Sequence, residues 1–155
     1  AASDVYKRQE EGSVHRDEVQ EPVRLPARGV NVLVAEDNAL NYEIVVEQLS
    51  SYGLHCRRAK DGRDCVRQFK RSQPGEIDVI LMDMQMPEMN GLEATAAIRA
   101  LARPDAKEIP IIALTANAYQ EDVQRCLDAG MNAHLSKPIH VDRAVRTIAE
   151  CLKKK

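Results

Sequence analysis

An α/β fold built on a doubly wound parallel sheet is the class that this sequence predicts. From Gly29 onwards, short apolar runs alternate with stretches that have the apolar spacing of helices, and cap or turn residues stand at the junctions. Strands that alternate with helices require crossover connections, which make neighbouring strands parallel. The five apolar runs and five helical stretches therefore predict a five-stranded parallel sheet with five helices on its faces.

The first apolar run, Val30–Ala35, predicts the first strand. Asp37 or Asn38 can cap the helix that follows, and Gly53 can end it. The apolar residues with helical spacing in this stretch are Leu40, Ile44, Val45, Leu49 and Tyr52.

Residues 54–59 show a weaker pattern that predicts an edge strand, and residues 62–70 predict a short helix. The next run, from Ile77 to Met82, is almost wholly apolar, as in a strand buried on both faces. Asp83 follows directly. This acid is therefore predicted to lie where a buried strand emerges from the sheet.

The remaining elements continue the alternation. We predict a helix over 91–101, a strand over 111–114, a helix over 119–127 that Gly130 ends, a strand over 133–136 and a helix over 141–152.

Composition disfavours several functional classes. The chain has 155 residues with a net charge of −2, no Trp and a single Phe, which gives little basis for nucleic-acid binding. No apolar stretch approaches the roughly 20 residues of a membrane span, and no secretory signal is evident. We expect a cytoplasmic domain without membrane contact. The four cysteines lack C-x-x-C spacing and are expected to be reduced and structural: Cys56, Cys65, Cys126 and Cys151.

Residues 1–28 are polar and predict a linker or disordered tail before a domain at 29–155. Within this tail, residues 3–9 resemble the translated end of a transposon used to prepare sequencing libraries. On that interpretation the natural sequence begins near Glu10, and the chain is a fragment of a longer protein.

Acids and one lysine stand at the ends of the predicted strands. Glu36 and Asp37 follow the first strand, Asp83 ends the third and Lys137 follows the fifth. In open α/β sheets these strand ends form the ligand-binding edge. Clustered carboxylates disfavour each other's ionised form, so a bound cation is favoured, and hard oxygen ligands indicate Mg²⁺.

A phosphoryl group could then approach Asp83 without net repulsion, and the carboxylate could attack phosphorus in line. Lys137 would neutralise phosphoryl oxygens, and Thr115, at the end of the fourth strand, could hydrogen-bond one of them. Ala116 is small and leaves room for the group. The pattern predicts a phosphoryl-accepting site.

Four motifs follow one another in a stretch of about residues 30–153: Val34-Ala35-Glu36-Asp37-Asn38, Leu81 to Gly91, Leu114-Thr115-Ala116 and Ser136-Lys137-Pro138. Together they resemble the receiver domain of two-component signalling. The resemblance implies a flavodoxin-like sheet of strand order 2-1-3-4-5. It also implies that Asp83, in the second motif, accepts phosphate from a phosphohistidine.

The resemblance further implies a ligand set for Mg²⁺. Asp37, Asp83 and the backbone carbonyl of Gln85 would bind the ion directly, and Glu36 would act through a metal-bound water.

The resemblance also concerns the output of the domain. The resemblance implies that Thr115 and Lys137 sense the phosphoryl group and that the loop after Thr115 shifts. Receivers often carry Tyr or Phe on the fifth strand as a rotamer switch, and His134 stands at that position here. His134 either swings similarly, brings a pH-sensitive charge or is a passive, half-buried residue.

Residues 84–97 are similar to receivers of hybrid sensor histidine kinases, which makes such a kinase the expected parent. The expected partners are a histidine kinase domain or a histidine phosphotransfer protein. A free-standing single-domain regulator is the alternative. Enzymatic activity of the domain itself would be limited to self-phosphorylation and self-dephosphorylation.

Two other classes use related folds. Aspartate-nucleophile phosphatases of the haloacid dehalogenase type place a second Asp two residues after the nucleophile, where this chain has Gln85, which cannot transfer a proton. Nucleotide- or flavin-binding proteins need a phosphate-binding loop, and no Gly-rich loop follows the first strand.

Overall fold

The computed structural model describes residues 23–116 and 120–153, with only the backbone described at residues 120–122. The adapter-like stretch at 3–9, the proposed start near Glu10 and the helix position of Tyr119 lie outside the described residues. The predicted domain boundary at residue 29 stays a prediction.

Five strands form one parallel sheet in the order β2-β1-β3-β4-β5, which confirms the predicted fold class and strand order. The β3 strand lies at the centre, and β2 lies at an edge, as its weak pattern predicted. The strands are β1 Val30–Ala35, β2 Leu54–Ala59, β3 Val79–Asp83, β4 Ile111–Thr115 and β5 Ala133–Ser136.

The described residues form five helices that alternate with the strands. One helix is shorter than predicted, because it ends at Arg99 and not at residue 101. The helices are α1 Ala39–Ser50, α2 Gly62–Arg71, α3 Gly91–Arg99, α4 Gln120–Asp128 and α5 Val141–Lys153.

Asx caps begin three of these helices. The Asn38 side chain accepts from the backbone N–H of Asn41 at 3.0 Å, so Asn38 and not Asp37 caps α1. Asp61 caps α2 in the same way. Asn90 and Glu93 form a reciprocal capping box at the start of α3.

The hydrophobic core has two layers, one on each face of the sheet. Because side chains alternate along a strand, Ile80 and Met82 of β3 contribute to one layer and Leu81 to the other. Buried residues of α2, α3 and α4 fill the first layer, and those of α1 and α5 fill the second: Cys65, Phe69, Ala94, Ile98 and Cys126, then Val45, Leu49, Ala144, Val145 and Ile148.

The apolar stripe of α1 is only partly buried. Val45 and Leu49 pack on the sheet, whereas the side chains of Leu40 and Ile44 are 65% and 48% exposed. The helical spacing identified the helix correctly. It could not show which side of the stripe the sheet covers.

Arginines fasten the amino-terminal edge of the sheet. Arg28 makes two hydrogen bonds to the Asp78 carboxylate, at 2.7 and 3.0 Å, and the backbone N–H of Asn31 donates to the same group at 2.8 Å. Arg99 donates to the carbonyl of Gly130 and to the side chain of Asn132. These contacts join the segment before β1 and the turns before β3 and β5.

Candidate phosphoacceptor site

The parallel register gathers the predicted site residues at the carboxyl edge of the sheet. Ala35 of β1 pairs with Met82 of β3, so the next residues along each strand, Glu36 and Asp83, leave the sheet side by side. Thr115 ends β4 beside Ser136 of β5, and Lys137 follows. The backbone N–H of Lys137 donates to the Thr115 carbonyl at 2.8 Å, which extends the pairing by one residue.

A close backbone approach supports the chain just after Asp83. The N–H of Gly91 donates to the carbonyl of Met84 at 3.2 Å. A Cβ atom on Gly91 would lie 2.5 Å from the carbonyl oxygen of Asp83, a distance that side chains do not tolerate. The glycine that follows the Met-Pro-Glu-Met-Asn sequence is therefore required for this turn to pack against the end of β3.

Asp83 is buried, and its carboxylate is held from two sides. Lys137 Nζ donates to Oδ2 at 2.8 Å, and the backbone N–H of Gln85 donates to Oδ1 at 3.1 Å. These two hydrogen bonds fix the orientation of the Asp83 carboxylate. The peptide bond between Lys137 and Pro138 is cis.

Glu36 lies deeper than its neighbour Asp37. Its side chain is only 3% exposed, accepts from the N–H of Asn38 at 3.1 Å and lies 3.6 Å from Lys137 Nζ. Burial raises the pKa of Glu36, and the negative charge of Asp83 raises it further, against the lowering effects of the Asn38 N–H and Lys137. The folded domain without a cation therefore holds this carboxylate at a free-energy cost.

Lys137 has the opposite balance. Burial alone would lower the pKa of Lys137, but the hydrogen bond and charge of Asp83, with a contribution from Glu36, outweigh it and raise that pKa. The ammonium group therefore stays charged at neutral pH, as a phosphoryl-binding group must.

Three carboxylates form a cluster with the spacing of a cation site. One oxygen from each of Glu36, Asp37 and Asp83 lies within 4.8 Å of the others. Asp37 is exposed whereas the other two are buried, so an ion bound there would keep a face open to water. Oxygen ligands with room for waters fit Mg²⁺ better than a softer metal.

Thr115 and Gln85 line the same cavity as the acids. The cavity has a volume of about 750 Å³, and Asp83 and Ala116 are among the residues that line it. Thr115 is buried at the end of β4. The sequence-predicted residues Glu36, Asp37, Asp83, Gln85, Thr115 and Lys137 all line this cavity.

His134 lies elsewhere. It is half-buried on β5, paired with Ala113 of β4, and is not among the residues that line the cavity. Its three possible roles stay open, and the direct metal ligation by the Gln85 carbonyl stays a prediction.

Two features near the site were not predicted. Arg58, near the end of β2, donates to the backbone carbonyls of Glu36 and Asp37. Glu88 has a φ of 66°, and it is the one non-glycine residue with positive φ in the parts of the chain that the structure describes. Arg58 lies outside the four motifs, and Glu88 lies within the second of them, but nothing in that motif predicted its backbone conformation. A basic residue one position before the end of an edge strand was the only available signal for Arg58.

A central parallel strand that presents a buried acid between a lysine and two further acids defines the receiver class of phosphoacceptor domains. The chain belongs to the response regulator receiver domain family, whose sequence model matches residues 32–149. The resemblance indicated by the four motifs is thereby confirmed.

Curated relatives are histidine kinases. The sensor histidine kinase RcsC of Salmonella typhi is 37% identical over 118 residues, and the peroxide stress-activated histidine kinase mak1 of Schizosaccharomyces pombe is 40% identical over 116 residues. The alignments cover 76% and 74% of this chain but 12% and 7% of those proteins. The chain thus spans a small fraction of the length of these relatives.

Solved structures agree with this assignment. The receiver domain of a sensor histidine kinase of Pseudomonas aeruginosa, with a magnesium ion coordinated in its active site cleft, is 38% identical with a TM-score of 0.72, over 81% of this chain and 98% of that one. The receiver domain of Saccharomyces cerevisiae Ssk1, solved with the histidine phosphotransfer protein Ypd1, is 30% identical with a TM-score of 0.68, over 79% and 88%.

No helix in the described part of the chain has both the length and the apolar character needed to cross a membrane.

Proposed function

We propose that this chain is a phosphoacceptor module of a two-component phosphorelay and that Asp83 takes the phosphoryl group. One observation carries the proposal. The Asp83 carboxylate lies buried between Lys137 Nζ, at 2.8 Å, and the carboxylates of Glu36 and Asp37. A buried acid crowded by like charges and aimed into a cavity is typical of a functional site.

The transfer is a substitution at phosphorus. A carboxylate oxygen of Asp83 forms a P–O bond while the P–N bond to the donor histidine breaks, and the electron pair of that bond stays on the imidazole nitrogen. Lys137 places a positive charge beside the nucleophile and the phosphoryl oxygens. The hydroxyl of Thr115, at the same edge of the sheet, would donate to one of those oxygens.

Mg²⁺ is the proposed cofactor. Asp37, Asp83 and the Gln85 carbonyl would hold it directly, and Glu36 would hold it through a water. When bound, the ion supplies the positive charge that neutralises the carboxylates and the phosphoryl oxygens. Support comes from the three carboxylate oxygens within 4.8 Å and from the magnesium ion in the Pseudomonas receiver.

The output is proposed to be a conformational change sensed by Thr115 and Lys137. The loop after Thr115 would respond, with His134 as a candidate switch residue; residues 117–119 of that loop lie outside the described range. Such a change requires that the phosphoryl group interact differently with two states of the domain.

The proposed parent is a hybrid sensor histidine kinase, because the curated relatives named above are histidine kinases and this chain matches only part of each. The proposed partners are a histidine kinase domain and a histidine phosphotransfer protein, as in the yeast complex. We place the domain in the cytoplasm, where kinases make phosphohistidine from ATP. Phosphotransfer profiling against a panel of such donors would identify the partner.

Acetyl phosphate provides the direct test. Incubation with Mg²⁺ should add one phosphoryl group, measured by intact mass, and a chelator should stop the addition. Asp83→Asn should remain unmodified, because its amide is not a nucleophile. Equal labelling of the mutant would contradict the assignment of the acceptor.

A further inference from the structure

Arg58 fastens the turn that carries two of the three acids. Its Nε donates to the carbonyl of Glu36 at 3.0 Å, and its Nη2 donates to the carbonyl of Asp37 at 2.8 Å. These carbonyls belong to the two peptide groups that flank the Cα of Asp37. One guanidinium therefore fixes the backbone on both sides of Asp37 and, with it, the direction of its Cα–Cβ bond.

Arg58 is itself held by α2. Gln68 donates from Nε2 to the backbone carbonyl of Arg58 at 2.7 Å, and also to Asp64 Oδ2 at 3.1 Å. Asp64 in turn accepts from the N–H of Lys60 at 3.0 Å. The end of β2 is thus braced from the following helix, which makes Arg58 a fixed support for the β1–α1 turn.

Asp37 needs such support more than the other acids do. The carboxylates of Glu36 and Asp83 are buried and fixed by hydrogen bonds, whereas Asp37 is exposed. Asn38, not Asp37, caps α1, so Asp37 is not oriented by that role. The orientation of its carboxylate depends on the turn beneath it.

We propose that Arg58 is a positioning residue for metal binding, which raises the affinity of the domain for Mg²⁺ by preorganising Asp37. The inference rests on the proposed function. Two effects of the guanidinium oppose each other: its charge repels a cation, and its two hydrogen bonds fix a ligand. The Arg58 residue is partly exposed, so water and salt screen its charge, and the ordering effect dominates.

Calorimetric titration of Mg²⁺ separates the two effects. Arg58→Lys keeps the charge but loses the planar two-pronged donor, and Arg58→Gln loses both. We expect both variants to bind Mg²⁺ about tenfold more weakly, the lower end of what the loss of an outer-shell partner costs. Mg²⁺ binding by Arg58→Gln that equals or exceeds the wild type would overturn the proposal.

Arg57 provides the matched control. It is the adjacent residue of β2, faces the other side of the sheet and pairs with Glu76 at 3.2 Å. Arg57→Gln makes the same change of charge and size, and we expect its Mg²⁺ affinity to stay within about twofold of the wild type, because it contacts no metal ligand. An equal loss in both glutamine variants would show a general charge effect and overturn the proposal.

Labelling with acetyl phosphate gives a second readout. The Mg²⁺ concentration for half-maximal rate should rise by the same factor in the Arg58 variants, and the rate at saturating Mg²⁺ should return to the wild-type value. A rate that stays low at saturation would contradict a role confined to metal binding. Thermal unfolding without metal establishes that each variant is folded, and Arg58→Lys alone decides the question if Arg58→Gln does not fold.

The two proposals fail differently. A wild-type chain that neither binds Mg²⁺ nor labels would refute the proposed function and this inference together. A wild type that does both, with Arg58 variants that match the Arg57 control, would refute only the role of Arg58.

Discussion

Two buried aspartates at the two ends of β3 differ in their electrostatic surroundings. Asp78 precedes the strand, and Asp83 ends it; each residue is 4% exposed. Asp78 receives two hydrogen bonds from Arg28 and one from the N–H of Asn31. Asp83 receives one from Lys137 and one from the N–H of Gln85, and two other carboxylates crowd it.

The difference shows how to separate a structural acid from a functional one. A buried carboxylate with its own cation and N–H donors stabilises the fold by joining segments distant in sequence. A buried carboxylate that shares its cation with a second acid and lies in a cluster of acids is typical of a site that binds a ligand. Burial alone would not distinguish Asp78 from Asp83.

The largest expected contrast comes from removing each charge in turn. Asp83→Asn should abolish labelling by acetyl phosphate and change the free energy of unfolding without metal by no more than about 1 kcal/mol, because the lost ion pair is offset by relieved repulsion. Asp78→Asn should label normally and lose about 1 to 3 kcal/mol of stability, because charged hydrogen bonds disappear. Intact mass and urea unfolding measure both. If Asp78→Asn also failed to accept a phosphoryl group, the proposed difference between the two aspartates would be wrong.

A second test displaces the backbone only at the carboxyl edge of the sheet, by substitution of a glycine. Gly91→Ala forces the turn away from the Asp83 carbonyl and so displaces the Asp83 carboxylate. We expect the labelling rate to fall by about tenfold to a hundredfold, because misplaced reacting groups slow a reaction by such factors. Gly75, at the opposite edge, has a φ of +86° but no atoms within 4 Å of a built Cβ. Gly75→Ala should therefore cost about 1 kcal/mol of stability and leave the labelling rate unchanged. Intact-mass measurements on samples quenched at successive times give the labelling rates of the two variants, and thermal unfolding gives their stabilities.

The pH dependence of stability should also separate acids by surroundings. Burial raises the pKa of Glu36, so the folded state holds its proton more tightly, and stability falls as pH rises from the ordinary pKa of Glu to the raised one. The hydrogen bonds of Arg103 lower the pKa of Asp105, so its contribution is lost as pH falls through that lowered pKa.

Urea unfolding at a series of pH values without metal measures these slopes. Glu36→Gln should flatten the plot of unfolding free energy against pH in the window above the ordinary pKa of Glu. Saturating Mg²⁺ should have the same effect on the wild type, because the ion favours the ionised form of the carboxylate cluster. Stability that rises with pH across this window, with no effect of Glu36→Gln, would contradict the assigned pKa direction.

The smallest expected effect concerns strain at the site. Glu88 has a φ of 66°, a conformation that glycine adopts more readily. Glu88→Gly should raise the free energy of unfolding by about 1 kcal/mol or less, because relief of strain exceeds the added freedom of the unfolded chain only slightly. Glu93→Gln, within the α3 capping box, should not raise it. A loss of stability in Glu88→Gly would show that the added freedom of the unfolded chain outweighs the relief of strain.

Much of the fold followed from the sequence, for a physical reason. Strands buried on both faces must be apolar throughout, so their ends can be read directly, and the ends of parallel strands meet at one edge. That logic alone placed Glu36, Asp83 and Lys137 together. The resemblance added the ligand set and the strand order.

Contacts between distant side chains did not follow. Arg28 and Asp78 are 50 residues apart, and Arg58 and Asp37 are 21 apart, and no local pattern marks either pair. The exposure of Leu40 and Ile44 was equally hidden, because helical spacing shows that a stripe exists and not how far the sheet reaches across it.

The burial of Asp83 restricts which phosphoryl donors can reach its carboxylate. The Asp83 side chain lines a cavity and is only 6% exposed, so it is reached by a small molecule or by a side chain that projects from the surface of a partner. The burial of the acceptor thus favours donors whose phosphoryl group projects from their surface, before any complementary contact between the proteins has formed.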